Sequence, residues 1–197
     1  MKISLFIPFI VGVHLFANNS SPYTFNEYDI PLGDGKQFTI LTGNVLGDSN
    51  LEVVALDRVD NYQTHIQIFA LKNDEWSKQI DAMINPFVYV VDIANIGGEE
   101  KLVFFARKSL YYFDTDTNSE IQMIDVNFRF QPDTTIAIPH KDIAQDINGD
   151  GLTDFILPSV QGFWVYTQLP NGIFADGVKM GPPEPFRHER TFDDPRL

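Results

Sequence analysis

The chain has 197 residues, 44% hydrophobic and 13% aromatic, enough apolar material for one sizeable core and too much for a disordered tail. Its 27 acidic against 14 basic residues give a formal charge of −13, which repels phosphate backbones and argues against nucleic acid as a partner. With no cysteine, disulfides, thiolate catalysis, Cys-based zinc sites and lipoprotein anchoring are excluded, so any cross-link must come from elsewhere, such as a cation.

Residues 1–17 read as a secretory signal peptide: Lys2, a largely apolar run from Ile3 to Phe16, then Ala17 ahead of the polar Asn18 to Ser21. The run is short for a membrane span and contains Pro8. The expectation is an exported protein, secreted, periplasmic or on the cell surface, with no membrane span in the mature chain. Leu15 sits where a small residue normally precedes cleavage after Ala17, which leaves the cut site undefined. Residues 18–36 follow as an N-terminal segment.

Beyond the first twenty residues no sustained 3.6-residue apolar stripe appears, and apolar runs alternate with Asn, Asp, Gly and Ser clusters, the pattern of strands and turns. The first unit, 37–85, contains FTILTGNV, LEVVALD, HIQIFALK and EWSKQIDAMI. The second, 86–130, contains FVYVVDIANI, KLVFFAR, SLYYFDT and EIQMIDV. The third, 133–180, contains IAIPHKDIAQDI, DFILPSV and GFWVYTQ, with GIFADGVKM filling the last slot more weakly.

The loops between the first two strands share a register: NVLGDSNLEVVA begins at Asn44, NIGGEEKLVFFA at Asn95 and DINGDGLTDFIL at Asp146, each 51 residues after the one before. Four short antiparallel strands in about 50 residues is the grammar of a propeller blade, which cannot bury both faces alone. The expected fold is therefore all-β, with about three propeller-type blades of four antiparallel strands in a repeat domain over 37–182. A closed ring usually takes four to eight blades, so further blades are expected from beyond residue 197 or from another chain. Residues 183–197, rich in Pro and charge, read as a linker or the start of a further blade.

The third loop carries the most specific chemistry. Asp146, Asn148, Asp150 and Asp154 fall at positions 1, 3, 5 and 9, the alternation a chain needs to curl oxygen ligands around calcium. The Leu152 carbonyl, at position 7, can face the same centre, and Gly149 and Gly151 allow the sharp curl. Oxygen ligands without His or Cys favour calcium over zinc or copper. An EF-hand also needs a bidentate Glu at position 12 and flanking helices; position 12 is Leu157 and the flanks are β-like.

This D-x-N-G-D-G-x-x-D loop, followed by Phe155, Ile156 and Leu157, resembles the FG-GAP/VCBS repeat of integrin-α-like propellers and exported bacterial proteins. The likeness is strong over 142–168, fair over 37–72 and positional only over 88–113. It implies a calcium-binding loop between the first two strands of a blade, with ligand roles for Asp146, Asn148, Asp150 and Asp154. In the first unit Asn44 replaces the opening Asp and Leu46 removes a ligand, so Asn44, Asp48, the Asn50 carbonyl and Glu52 make a weaker set or none. The second loop is about two residues shorter, offers only Glu99 and Glu100, and is expected simply to turn.

No enzyme signature competes. His65, His140 and His188 share no metal-binding spacing, no Ser lies in G-x-S-x-G, and the pairs Asp114 with Asp116 and Asp193 with Asp194 fall in turn-like or terminal polar segments. The strings Tyr111 to Phe113 and Phe163, Trp164, Tyr166 read as filling between sheets before they read as a ligand rim. The expected function is an exported, non-catalytic, calcium-binding module presenting loops to an unknown protein or glycan. The alternatives are an accessory part of a larger extracellular enzyme or surface protein, and a purely structural domain.

Overall fold

A computed structural model of the chain describes residues 2–6, 27–35, 37–59, 63–84, 88–106, 108–126, 137–159 and 162–181. Most of the expected export signal (Met1 and residues 7–17), much of the N-terminal segment (18–26 and 36), parts of all three units, and the expected linker 183–197 lie outside the described residues. A short strand β1 (Lys2–Phe6) pairs antiparallel with β2 (Glu27–Pro31). Among the described residues no helix is long and apolar enough to cross a membrane.

The rest is three four-stranded antiparallel meanders. The first holds β3 (Phe38–Gly43), β4 (Glu52–Arg58), β5 (Thr64–Lys72) and β6 (Glu75–Ile84) in that order. The second holds β7 (Val88–Ile96), β8 (Glu99–Ala106), β9 (Ser109–Asp114) and β10 (Ser119–Asp125). The third holds β11 (Ala144–Gln145), β12 (Asp154–Ser159), β13 (Gly162–Tyr166) and β14 (Val178–Met180). The fold is all-β, with blade-like sheets.

Why the inner strands read as unbroken apolar runs follows from their place in the stack. Successive side chains point to opposite faces, so a sheet covered on both faces needs apolar residues at every position. In β4, Val53 and Ala55 face a small core with Ile30 and Leu32, whereas Val54 and Leu56 face the second sheet. In β8, Leu102 and Phe104 face back to the first sheet, and Val103 and Phe105 face the third. The outer strands β6 and β10 are mostly exposed and correspondingly polar.

The sheets meet along their first strands. Residues 139–141 run beside β7, with a parallel bridge from Val91 to His140 and hydrogen bonds from the Val91 amide to the Pro139 carbonyl and from the Lys141 amide to the Val91 carbonyl. One residue earlier, the Thr39 hydroxyl on β3 donates to the Ile138 carbonyl. The lead-in to the third sheet thus touches the inner strands of the other two.

Candidate metal loops

Residues 146–153 join β11 to β12, and residues 44–51 join β3 to β4. Both are corners between the first two strands of a sheet. The two backbones curl alike: Gly149 and Gly151 have φ of 78° and 84°, and Gly47 and Ser49, each 102 residues earlier, have 72° and 71°. A Cβ at Gly47, Gly149 or Gly151 would meet nothing within 4 Å, so conformation and not space calls for glycine there. The second sheet differs, as its shorter sequence requires: Gly97 and Gly98, at 64° and 93°, close a two-residue turn of the type favoured in hairpins.

Side chains repeat as well. Asp150 Oδ1 accepts from the Leu152 amide at 2.9 Å, and Asp48 Oδ1 accepts from the Asn50 amide at 3.0 Å. At the end of each loop a fully buried carboxylate reaches back: Asp154 Oδ2 accepts from Ile147 at 3.2 Å, and Glu52 Oε2 from Leu46 at 3.0 Å. Asp154 Oδ1 also accepts from the Gln168 amide at 2.9 Å, and the Gln168 side chain donates to the carbonyls of Thr153 and Asn95, tying the third loop to the turn of the second sheet.

The loops differ in how their oxygens are occupied. In the third, both oxygens of Asp146 take amides from Gly149, Asp150 and Gly151, and Asn148 bonds the Asp150 amide and carboxylate. Its three carboxylates, Asp146, Asp150 and Asp154, do not come within 4.8 Å of one another as a group. The Asp and Asn oxygens keep unused lone pairs, and hard oxygens on a curled, exposed loop are the donor type that calcium takes.

In the first loop the Oδ1 of Asn44 and the Oε1 of Glu52 are buried with no hydrogen-bond partner. Such orphan acceptors are costly unless something satisfies them. They sit where the sequence places ligand positions 1 and 9, with Asp48 at position 5 close to Glu52. Of the described ligand-position oxygens in the two loops, these two are buried without a partner, whereas the buried Asp154 carboxylate of the third loop has both oxygens bonded. Glu100, on β8, adds a carboxylate at the same corner, accepting from the Asn44 amide at 2.6 Å.

Burial pushes the Glu52 carboxyl above its ordinary 4.5, against the lowering effect of the Leu46 amide, and the negative Asp48 pushes it further up. A raised value means that the folded chain holds this proton more tightly than the unfolded chain. In calcium-free protein the charged form therefore costs stability at neutral pH, and the cost disappears as pH falls through the folded-state value and below 4.5. Urea midpoints compared between about pH 4 and pH 8 should show wild type gaining on Glu52→Gln as pH falls. A difference independent of pH would contradict the assignment.

Several of the remaining candidates serve turns and packing. Asp114 caps the β9–β10 turn, accepting from Thr117 Oγ1 at 2.7 Å and the Asp116 amide at 3.1 Å, and the first of these bonds holds its carboxyl below the ordinary range. Asp193, Asp194, His14 and His188 lie outside the described residues. Tyr111 stacks on Phe104 with centroids 5.6 Å apart, and Phe113 is fully buried. Trp164 and Tyr166 pack between the second and third sheets, while Phe163 is 52% exposed.

Spacing along the chain missed one cluster. Asp92, His140 and Asp142 bring one ligand atom each to within 4.8 Å of the others. The signal is not legible in sequence, because β7 and the lead-in to β11 meet only in the fold. No family model matches this chain, and neither the curated proteins nor the solved structures contain a match.

Proposed function

We propose that this chain is an exported, non-catalytic module of propeller-type blades that binds calcium at the loops 44–52 and 146–154 and presents its corners to a protein or glycan partner. The observation that carries the reading is the pair of buried, unpartnered oxygens, Asn44 Oδ1 and Glu52 Oε1, in a loop whose backbone curl repeats in the D-x-N-G-D-G loop. The residues that would hold the ion are Asn44, Asp48, the Asn50 carbonyl and Glu52 in one loop. In the other they are Asp146, Asn148, Asp150, the Leu152 carbonyl and Asp154. A bound ion would neutralise carboxylates that otherwise repel one another, and would brace corners that no disulfide can brace.

A second reading, that the module is part of a larger propeller or multidomain surface protein or enzyme, is favoured by the outer face of the third sheet. The β12–β13–β14 register places Ile156, Pro158, Phe163, Val165, Val178 and Met180 on one face, opposite Phe155, Leu157 and Tyr166, which pack on the second sheet. All six are apolar, and Phe163, Val178 and Met180 are more than half exposed, at 52%, 62% and 56%. The corresponding faces of the first two sheets are each covered by the next sheet, so the face suits a further sheet of the same kind.

Calorimetric titration of the full chain with calcium tests the proposal. Saturable binding is expected, with a weakened or lost component in Asp150→Ala and a separate one in Glu52→Gln. No heat of binding at millimolar calcium, or isotherms unchanged in both variants, would sink it.

A further inference from the structure

The first loop lies where two sheets meet, and one carboxylate there comes from outside the loop. Glu100, the second residue of β8, places its Oε2 2.6 Å from the Asn44 amide. A Cβ at Gly43 would come to 3.0 Å from that oxygen and 2.8 Å from the Ile93 side chain, so glycine there lets the second sheet bring the group in. A carboxylate can accept further bonds beyond this one, and the Glu100 side chain is exposed.

The strand registers mark this corner as a place for positive charge. Glu52, Lys101 and Asp154 pair with Gly43, Ala94 and Gln145, three residues spaced 51 apart, and so occupy the same point of their sheets. The second corner, whose short turn encloses no loop, carries its own cation at that point, the Lys101 ammonium, paired with Glu99 at 2.6 Å. The first carries a carboxylate instead. Glu52 is fully buried, its Oε1 has no hydrogen-bond partner, and Asn44 Oδ1 is buried and unpartnered beside it in the same loop. What this loop lacks is an oxygen at position 3, where Leu46 stands in place of the third loop's Asn148.

We propose, on the calcium reading of this loop, that Glu100 is a ligand supplied by the second sheet in place of the missing position 3 oxygen, so that the ion clamps the first sheet to the second. With Asn44, Asp48, the Asn50 carbonyl and Glu52 it brings the protein oxygens to at least five, and water completes the six to eight that calcium takes. Asp48, Glu52 and Glu100 do not gather within 4.8 Å of one another as a group, so the exposed Glu100 side chain draws in as the ion binds. The ligands of the third loop, by contrast, all belong to residues 146–154.

Glu100→Gln in an Asp150→Ala background is the test, because the background leaves the first-loop component of the calcium titration to be read alone. Glutamine keeps an acceptor for the Asn44 amide and removes the charge. Calorimetry should show calcium binding weakened by ~10-fold, since affinity follows the number of charged ligands. The urea midpoint should match the parent in chelator and fall below it in calcium, with unchanged circular dichroism. Binding unaltered by Glu100→Gln but abolished by Glu52→Gln would overturn the role of Glu100 and leave the calcium reading standing. A midpoint loss of equal size in chelator and calcium would reduce Glu100 to its bond with Asn44 and overturn it too. No calcium heat in the Asp150→Ala parent would overturn both.

Discussion

Replacing Phe104 by alanine is expected to lower stability by about 3–5 kcal/mol, among the largest effects of any single core substitution. Phe104 is fully buried in the cluster between the first and second sheets, where Val54, Leu56, Ile66 and Ile68 face it from one side and Tyr111 stacks on its ring. The ring lies in the middle of a rigid sheet, so its neighbours cannot collapse into the space, and both the transfer and the cavity contributions apply. At about 2–4 °C per kcal/mol for a chain of this size, the thermal midpoint should fall by roughly 10 °C. Phe104→Leu should cost far less, and Phe163→Ala, on the exposed face, should change little. A Phe104→Ala midpoint within a degree or two of wild type would show that the first two sheets do not pack as described.

The second large effect is expected at Asp154. Its carboxylate, fully buried, is the acceptor for the amides of Ile147 and Gln168, so Asp154→Ala leaves two amides without a partner. Each such loss costs about 1–3 kcal/mol, and together they should destabilise the chain by about 2–6 kcal/mol even without calcium. Asp154→Asn keeps one acceptor oxygen and turns an NH2 towards the other amide, so it should fall between wild type and Asp154→Ala. Denaturant midpoints measured in chelator separate this structural role from any contribution of metal. Equal midpoints for wild type and Asp154→Ala in chelator would contradict it.

What could be read from the sequence follows from which interactions are local. Runs such as LEVVALD and KLVFFAR announce strands covered on both faces, and the Asn, Asp and Gly clusters announce their turns. The 51-residue spacing of Asn44, Asn95 and Asp146 places three corners at matching points of three sheets. GIFADGVKM, the weakest strand signal, yields only the three-residue β14, because Gly177 and the exposed edge leave it little to pair with or cover.

Contacts between distant segments were not legible. Nothing local marks Glu100 as the partner of the Asn44 amide, or Gln168 as the residue that locks two corners together, because each acts across more than fifty residues of chain. The same holds for Asp92 with His140, separated by 48 positions. The two loops also differ in a way that no residue count records. Ligand side chains are more numerous in the third loop, while the burial of Asn44 Oδ1 and Glu52 Oε1 without a hydrogen-bond partner emerges only from the fold.

The most direct measurement is the thermal midpoint of the full chain in calcium and in chelator, repeated for Asp150→Ala combined with Glu52→Gln. An ion bound only by the folded loops stabilises by about 2.7 kcal/mol per site at a hundredfold excess over Kd, so calcium should raise the wild-type midpoint by roughly 5–10 °C for each occupied loop. The double variant should lose most of that rise. Wild-type melts that superimpose in calcium and chelator would contradict the proposed calcium sites.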